Sequence, residues 1–344
     1  MRTHLNTLFI TLEGAYLRKD GAAVEVRHEK RTKLRVPLHN LEGIVCFGWD
    51  CTASAALMGA CAEADVSLSF HTPYGKFLAA SRGFTSGNIL LRRAQYRVAD
   101  SQQASLEIAR NCVAAKIANS RHVLKRAARD HGQKNLQHAE KLILTSEQLT
   151  HRIRYAQAAT SLDSLRGIEG DAATLYFAAF NSMLTNNSFQ LTGRNKRPPT
   201  DPLNALLSFL YTLLAHDCRS ALESCGLDPQ CGFLHRDRSG RPSLALDLME
   251  EFRPLLADRA TLTLINRNQI KTSDFKDLEN GAVLLKDDAR KTVLKHWQER
   301  KQSEILHPLL EEKVSLGLLP QLQARLLSRY LRGDIDAYPA YLAR

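Results

Sequence analysis

The sequence predicts an α+β protein: a small β-rich N-terminal domain, residues 1–90, followed by a larger α-helical domain, residues 91–344. Three observations carry this. Apolar residues alternate in short runs before Ile89 and recur at helical spacing after it. Turn residues punctuate the first part and are scarce in much of the second. At 344 residues the chain is too long for one small core.

The strands come first. "LNTLFITLE" alternates, and "LRKDGAAVEV" contains an Asp20-Gly21 hairpin signal. "KLRVPLHNLEGIVCFG" supplies two more β runs, and the helix "TASAALMGACAEA" precedes the strand "VSLSFHT". From Ile89 the texture is helical. Leu106, Ala109, Val113, Ile117 and Val123 fall near one face. Further helices are expected in "LTSEQLTHRIRYAQAA", "GDAATLYFAAFNSML", "DPLNALLSFLYTLLAHDCRSALESCG" and "ARKTVLKHWQERKQSEIL". The insertion "TGRNKRPPTDP" breaks this region, with Asp201 as N-cap and Pro202 as first residue of the next helix.

Composition narrows the function. The formal net charge is +11, which favours a polyanionic partner: DNA, RNA or an anionic membrane. The longest apolar run, "ALLSFLYTLLA", has only eleven residues, short of the roughly 20 needed to span a bilayer. The N-terminus lacks a signal-peptide layout, so a cytoplasmic protein without membrane association is expected. Seven irregularly spaced cysteines without a CxxC argue against a disulfide framework and a structural zinc site.

The stretch "GFLHRDRSGRPSLALDLMEEFRP" holds the densest candidate chemistry. If "SLALDLMEEF" is a helix, Leu244, Leu248, Phe252 and Leu255 form an apolar stripe, and Asp247 and Glu250 emerge as neighbours on another face. Carboxylates near a core need a positive partner. Arg253 or a divalent metal would serve. His235 adds an imidazole, and imidazole with carboxylates suits Mn²⁺, Mg²⁺-like or Fe²⁺ ions. Glu169 is the best third ligand, placed at a helix mouth between Gly167 and Gly170, which would let backbone or ligand come close. Arg166, Arg194, Lys196, Arg197, Arg236, Arg238 and Arg241 could hold phosphates. Each has a plainer reading as a capping, paired or solvated charge. His216-Asp217 looks like the HD dipeptide of metal phosphohydrolases but has no convincing partners in sequence, and "GFTSGN" is no P-loop.

"RGIEGDAATLYF", "NKRPPTDPLNALLSFLYTLL", "GFLHRDRSGRPSLALDLMEEFRP" and "HWQERKQSEILHP" together resemble the CRISPR-associated integrase/endonuclease of spacer acquisition. The resemblance is specific over residues 165–254 and textural over residues 1–90. It implies a homodimer, with the β-rich domain dimerising and the helical domain catalytic and bound to metal and DNA. It implies Mn²⁺ or Mg²⁺ on Glu169, His235 and Glu250, with Asp247 as an additional acid beside the site. It does not decide whether Asp247 or Glu250 dominates; Glu250 is preferred because it begins the "EEFRP" block, where members of the family carry the metal acid, and Arg253 is expected as a further DNA contact. The expected partners are double-stranded DNA, as incoming fragment and CRISPR repeat, and a small ferredoxin-like adaptation protein. The expected reaction is attack of a DNA 3′-OH on a phosphodiester, or hydrolysis when water attacks. Two other classes compete: a non-catalytic DNA-binding subunit with salt-bridged acids, and a nucleotide phosphohydrolase around His216-Asp217.

Overall fold

A computed structural model describes residues 7–41, 43–64, 66–73, 77–81, 83, 89–131, 135–195 and 198–343. The N-terminal part contains β1 (Thr7–Ile10), β2 (Tyr16–Asp20), β3 (Ala23–His28), β4 (Arg31–Pro37), β5 (Gly43–Phe47), β6 (Thr52–Ala53), α1 (Ala55–Glu63), β7 (Ser67–His71) and β8 (Phe77–Ser81). Two four-stranded sheets result, ordered β4-β3-β2-β6 and β1-β5-β7-β8. The hairpin between β2 and β3 forms where the sequence placed it. Asp20 pairs with Ala23, and Gly21 takes φ +59°, a conformation glycine adopts without a Cβ penalty. Leu17, Val24, Ile44, Leu57 and Leu68 pack between the sheets and α1 as a separate small core.

The helical part begins with α2 (Ile89–Asp100), α3 (Gln102–His131), α4 (Leu136–Ala158), α5 (Leu162–Ala178) and α6 (Pro202–Ser224). The expected start of α6 is observed: Asp201 accepts from the Asn204 N–H, and Pro202 opens the helix. Next come α7 (Ser243–Glu250), a π-helical turn (Pro254–Asp258) and α8 (Arg259–Asn266). The hairpin β9 (Phe275–Asp277) and β10 (Val283–Leu285) leads to α9 (Asp287–Gln302). The chain continues through β11 (Glu304–Leu306), β12 (Lys313–Ser315) and α10 (Leu319–Leu331). Helical spacing in the sequence carries α9 on through Leu306. The structure ends it at Gln302, and "EIL" pairs with β12 instead.

The central 30-residue α3 organises the larger core. Leu106, Ala109, Val113, Ile117 and Val123 are all at most 3% exposed. Burying such side chains contributes about 1.5–3 kcal/mol each for the larger ones. Among the described residues, no helix is long and apolar enough to cross a membrane. All seven cysteines are free thiols.

Candidate active site

One stripe of α3 departs from the apolar pattern. Cys112, Lys116 and Asn119 lie four and three residues apart, so they share a face. That face meets the acidic end of α7. Cys112 Sγ donates to Glu251 Oε1, and Asn119 donates to the Glu251 carbonyl. Lys116 Nζ lies 2.8 Å from Glu250 Oε2 and 2.5 Å from Glu169 Oε1. On its other oxygen Glu250 accepts from Arg253 at 2.7 Å. Burial alone would raise the Glu250 carboxyl, but Arg253, Lys116 and then His235 outweigh it and hold its pKa well below the usual carboxylate range. Burial likewise opposes the Lys116 ammonium, and Glu250 and Glu169 more than offset it.

Asp247 and Glu250 make different hydrogen bonds: Glu250 meets Lys116 and Arg253, whereas Asp247 holds the loop that carries His235. Asp247 Oδ2 accepts from the N–H groups of Phe233 at 2.6 Å and Leu234 at 2.9 Å. Its Oδ1 accepts from the His235 N–H at 3.0 Å and faces His235 Nδ1 at 2.6 Å. One carboxylate therefore winds residues 233–235 around the N-terminal side of α7. Gly232 makes that approach possible. A Cβ there would come within 2.8 Å of Ser243 and 2.9 Å of Asp247 Oδ2.

Glu169 also departs from expectation. It lies inside α5, whose N-cap is Ser161, and not at a helix mouth. A Cβ added at Gly167 or Gly170 meets nothing within 4 Å, so among the described residues no other part of the chain approaches these glycines closely. What joins Glu169's helix to the histidine loop is Arg166, which donates to the Leu234 carbonyl at 2.8 Å. Arg166 and Arg236 both grip Asp163 at 2.7 Å.

The arginines divide into two groups. Arg236 and Arg238 are exposed and Arg241 is half-buried, which leaves them at the surface. Arg194 and Arg253 make contacts within the chain. Arg194 donates to Asn204 and Ser208 and stacks 5.2 Å from the Tyr211 ring centre. Arg253 lies 4.2 Å over the same ring. Below them the Tyr211 hydroxyl donates to Asp258 at 2.5 Å. Both guanidinium groups are thus committed to holding the insertion, α6 and the π-helical turn together. Lys196 and Arg197 lie outside the described residues. A cavity of about 510 Å³ opens beside Lys116 and Glu169 and is lined also by Thr174, Arg194, Tyr211 and Arg253.

His216 and Asp217 make separate contacts. His216 Nε2 lies 3.3 Å from Ser69 Oγ, and its ring packs edge-on to His71. Asp217 pairs with the buried Lys301 at 3.0 Å.

Two carboxylate oxygens converging on one positive atom, beside a histidine oriented by a carboxylate, form a site whose donor types suit a hard divalent cation. As the side chains stand, no three His, Cys, Asp or Glu groups among the described residues are grouped closely enough to hold an ion. The Lys116 ammonium stands between the carboxylates instead. Sequence reasoning missed Lys116. Its signal was a lone lysine on a buried helical face, between Val113 and Ile117.

A β-rich N-terminal region of two sheets precedes a larger helical part that carries these carboxylates and the histidine. The chain belongs to the family described as CRISPR associated protein Cas1, whose model matches residues 8–299. It is 52% identical over the whole of both chains to "CRISPR-associated endonuclease Cas1 1" of Chlorobaculum tepidum. It is 51% identical, over 99% of both chains, to "CRISPR-associated endonuclease Cas1 2" of Rhodospirillum rubrum. Its fold is similar to that of a Cas1 protein from Thermotoga maritima, with TM-score 0.81 and 22% identity over 98% of this chain and 100% of the other. It is also similar to a casposase bound to integration product, with TM-score 0.83 and 22% identity over 98% and 94% of the two chains.

Proposed function

We propose that this chain is a divalent-metal-dependent DNA endonuclease and integrase. It joins short DNA fragments into a CRISPR repeat array by 3′-OH transesterification, and cleaves when water is the attacker. The convergence of Glu169 and Glu250 on one cation position carries this reading. The names of relatives matched over their whole length support the endonuclease part of it.

Glu169, Glu250 and the Nε2 of His235 would hold Mn²⁺ or Mg²⁺. When bound, such an ion supplies Lewis-acid polarisation of a phosphodiester and offsets charge building on its oxygens. His235 Nδ1 lies 2.6 Å from the Asp247 carboxylate, a partner that would favour the proton on Nδ1 and so leave Nε2 to serve as a ligand. Arg166 keeps the His235 loop seated on the helix that carries Glu169. Arg236, Arg238 and Arg241 bind backbone phosphates and position the duplex without reading bases.

The working assembly we infer is a homodimer formed through residues 1–90, bound in the cytoplasm to a small ferredoxin-like adaptation protein. Exposed Trp49, Leu34 and Leu78 on that domain support a protein contact. A related fold occurs in a Cas6-RT-Cas1–Cas2 complex, of whose chain this one covers 36%.

The test is a strand-transfer assay with a labelled short duplex and a repeat-containing target, with Mn²⁺ or EDTA. EDTA, Glu169→Ala and His235→Ala should each abolish joining and cleavage while most duplex binding persists. Full activity of both variants in Mn²⁺ would leave the competing reading, a DNA-binding subunit whose acids are satisfied by Lys116 and Arg253.

A further inference from the structure

We propose that Lys116 is a built-in counter-cation. It holds the Glu169 and Glu250 carboxylates together before a divalent ion arrives, and leaves the space between them when the ion binds. This rests on the metal-dependent reading above and adds a residue that the reading does not use.

Two facing carboxylates, one of them only 3% exposed, repel each other and resist burial unless a positive group joins them. Arg253 satisfies one oxygen of Glu250. The other oxygen and Glu169 would be left facing each other without Lys116. The ammonium therefore sets the separation of these two oxygens before any ion is taken up. At 2.8 and 2.5 Å from the two oxygens, Nζ leaves no room for a second cation between them. Ion uptake is an exchange of one cation for another at the same two oxygens. Lysine suits this task because its charge sits on a flexible four-carbon stem. The adjoining cavity of about 510 Å³, lined by Lys116, Thr174 and Arg194, gives the displaced ammonium somewhere to go. An arginine pinned against an aromatic ring, as Arg253 is, could not retreat in this way.

A cation that must be evicted weakens the binding of its replacement. Removing it should therefore tighten metal binding, whereas removing a group with a merely structural role should loosen it. The experiment is Mn²⁺ titration of the full-length protein by calorimetry, with melting temperatures taken with and without Mn²⁺. Lys116→Met should bind Mn²⁺ about tenfold more tightly than the unsubstituted protein. It should melt lower without metal and show a larger Mn²⁺-induced rise. Lys116→Gln, neutral but still a hydrogen-bond donor, should shift the same way and serves if the Met variant does not fold. Equal or weaker Mn²⁺ binding by the neutral variants overturns the inference alone. If the unsubstituted protein takes up no Mn²⁺, the metal-dependent reading fails and the inference with it.

Discussion

The Nδ1 of His235 lies 2.6 Å from Oδ1 of Asp247, and the same carboxylate also receives the backbone N–H groups of Phe233, Leu234 and His235. The acid that fixes the imidazole thus also fixes the loop carrying it. Asp247→Ala would strand buried donors, each costing about 1–3 kcal/mol. We expect a loss of about 2–4 kcal/mol in denaturant unfolding and a fall in strand transfer of roughly 100-fold. Asp247→Asn keeps the shape but supplies one acceptor oxygen in place of two, and should fall between. Unchanged activity in Asp247→Ala would show that His235 needs no such anchor.

Gly232 tests the same loop from the other side. The Cβ of Gly232→Ala would press on the backbone of Ser243 at 2.8 Å, which a short packed helix cannot easily relieve. Stability should fall by about 1–3 kcal/mol. Cleavage should fall more than duplex binding, because the displaced residue is His235 and not the exposed arginines. Parallel nuclease and gel-shift titrations check this.

The two groups of arginines should separate in a salt titration. Replacing Arg236, Arg238 or Arg241 with Ala should reduce the slope of log affinity against log salt by about 0.9 for each phosphate no longer neutralised. Arg194→Ala should leave that slope unchanged and lower the melting temperature, since its guanidinium is committed to Asn204, Ser208 and Tyr211. A flat slope for the whole surface group would remove the basic track from the proposal.

Asp258 gives a pH signature. Burial raises its carboxyl to about 6, against the pull of the Tyr211 hydroxyl and Arg253. The folded protein therefore keeps this proton at pH values where the unfolded chain, with a pKa of about 3.9, has lost it. Stability from this group is fully present below about pH 4 and is lost as pH rises through about 6. The two-unit gap amounts to about 3 kcal/mol. Asp258→Asn does not titrate, so the stability of the unsubstituted protein relative to it should decline between pH 4 and 6 and then level off. Denaturant melts of both proteins from pH 4 to 8 measure this, and parallel curves would place the Asp258 pKa at its ordinary value.

Features fixed by near neighbours were legible along the chain. The hairpin at Gly21, the Asp201-Pro202 start of α6 and the buried stripe of α3 each depend on residues a few positions apart, and each appears. The start of α5 was not legible, because two glycines imitate a boundary. Ser161 and Leu165, capped and buried, carry the helix straight through them. The end of α9 was hidden because β11 is settled by pairing with β12, not by its own three residues.

The sequence by itself determined a basic chain with a β-rich start, a helical remainder, and a Glu, a His and an acid set among arginines, because composition and periodicity are properties of the chain. Only the tertiary structure decided what each acid faces. Lys116 meets Glu169 from 53 positions away, and Asp247 binds the backbone of a loop that precedes its own helix. Charge partners are chosen by proximity and burial in three dimensions, where the cost of leaving a carboxylate unpaired is set by how little water can reach it.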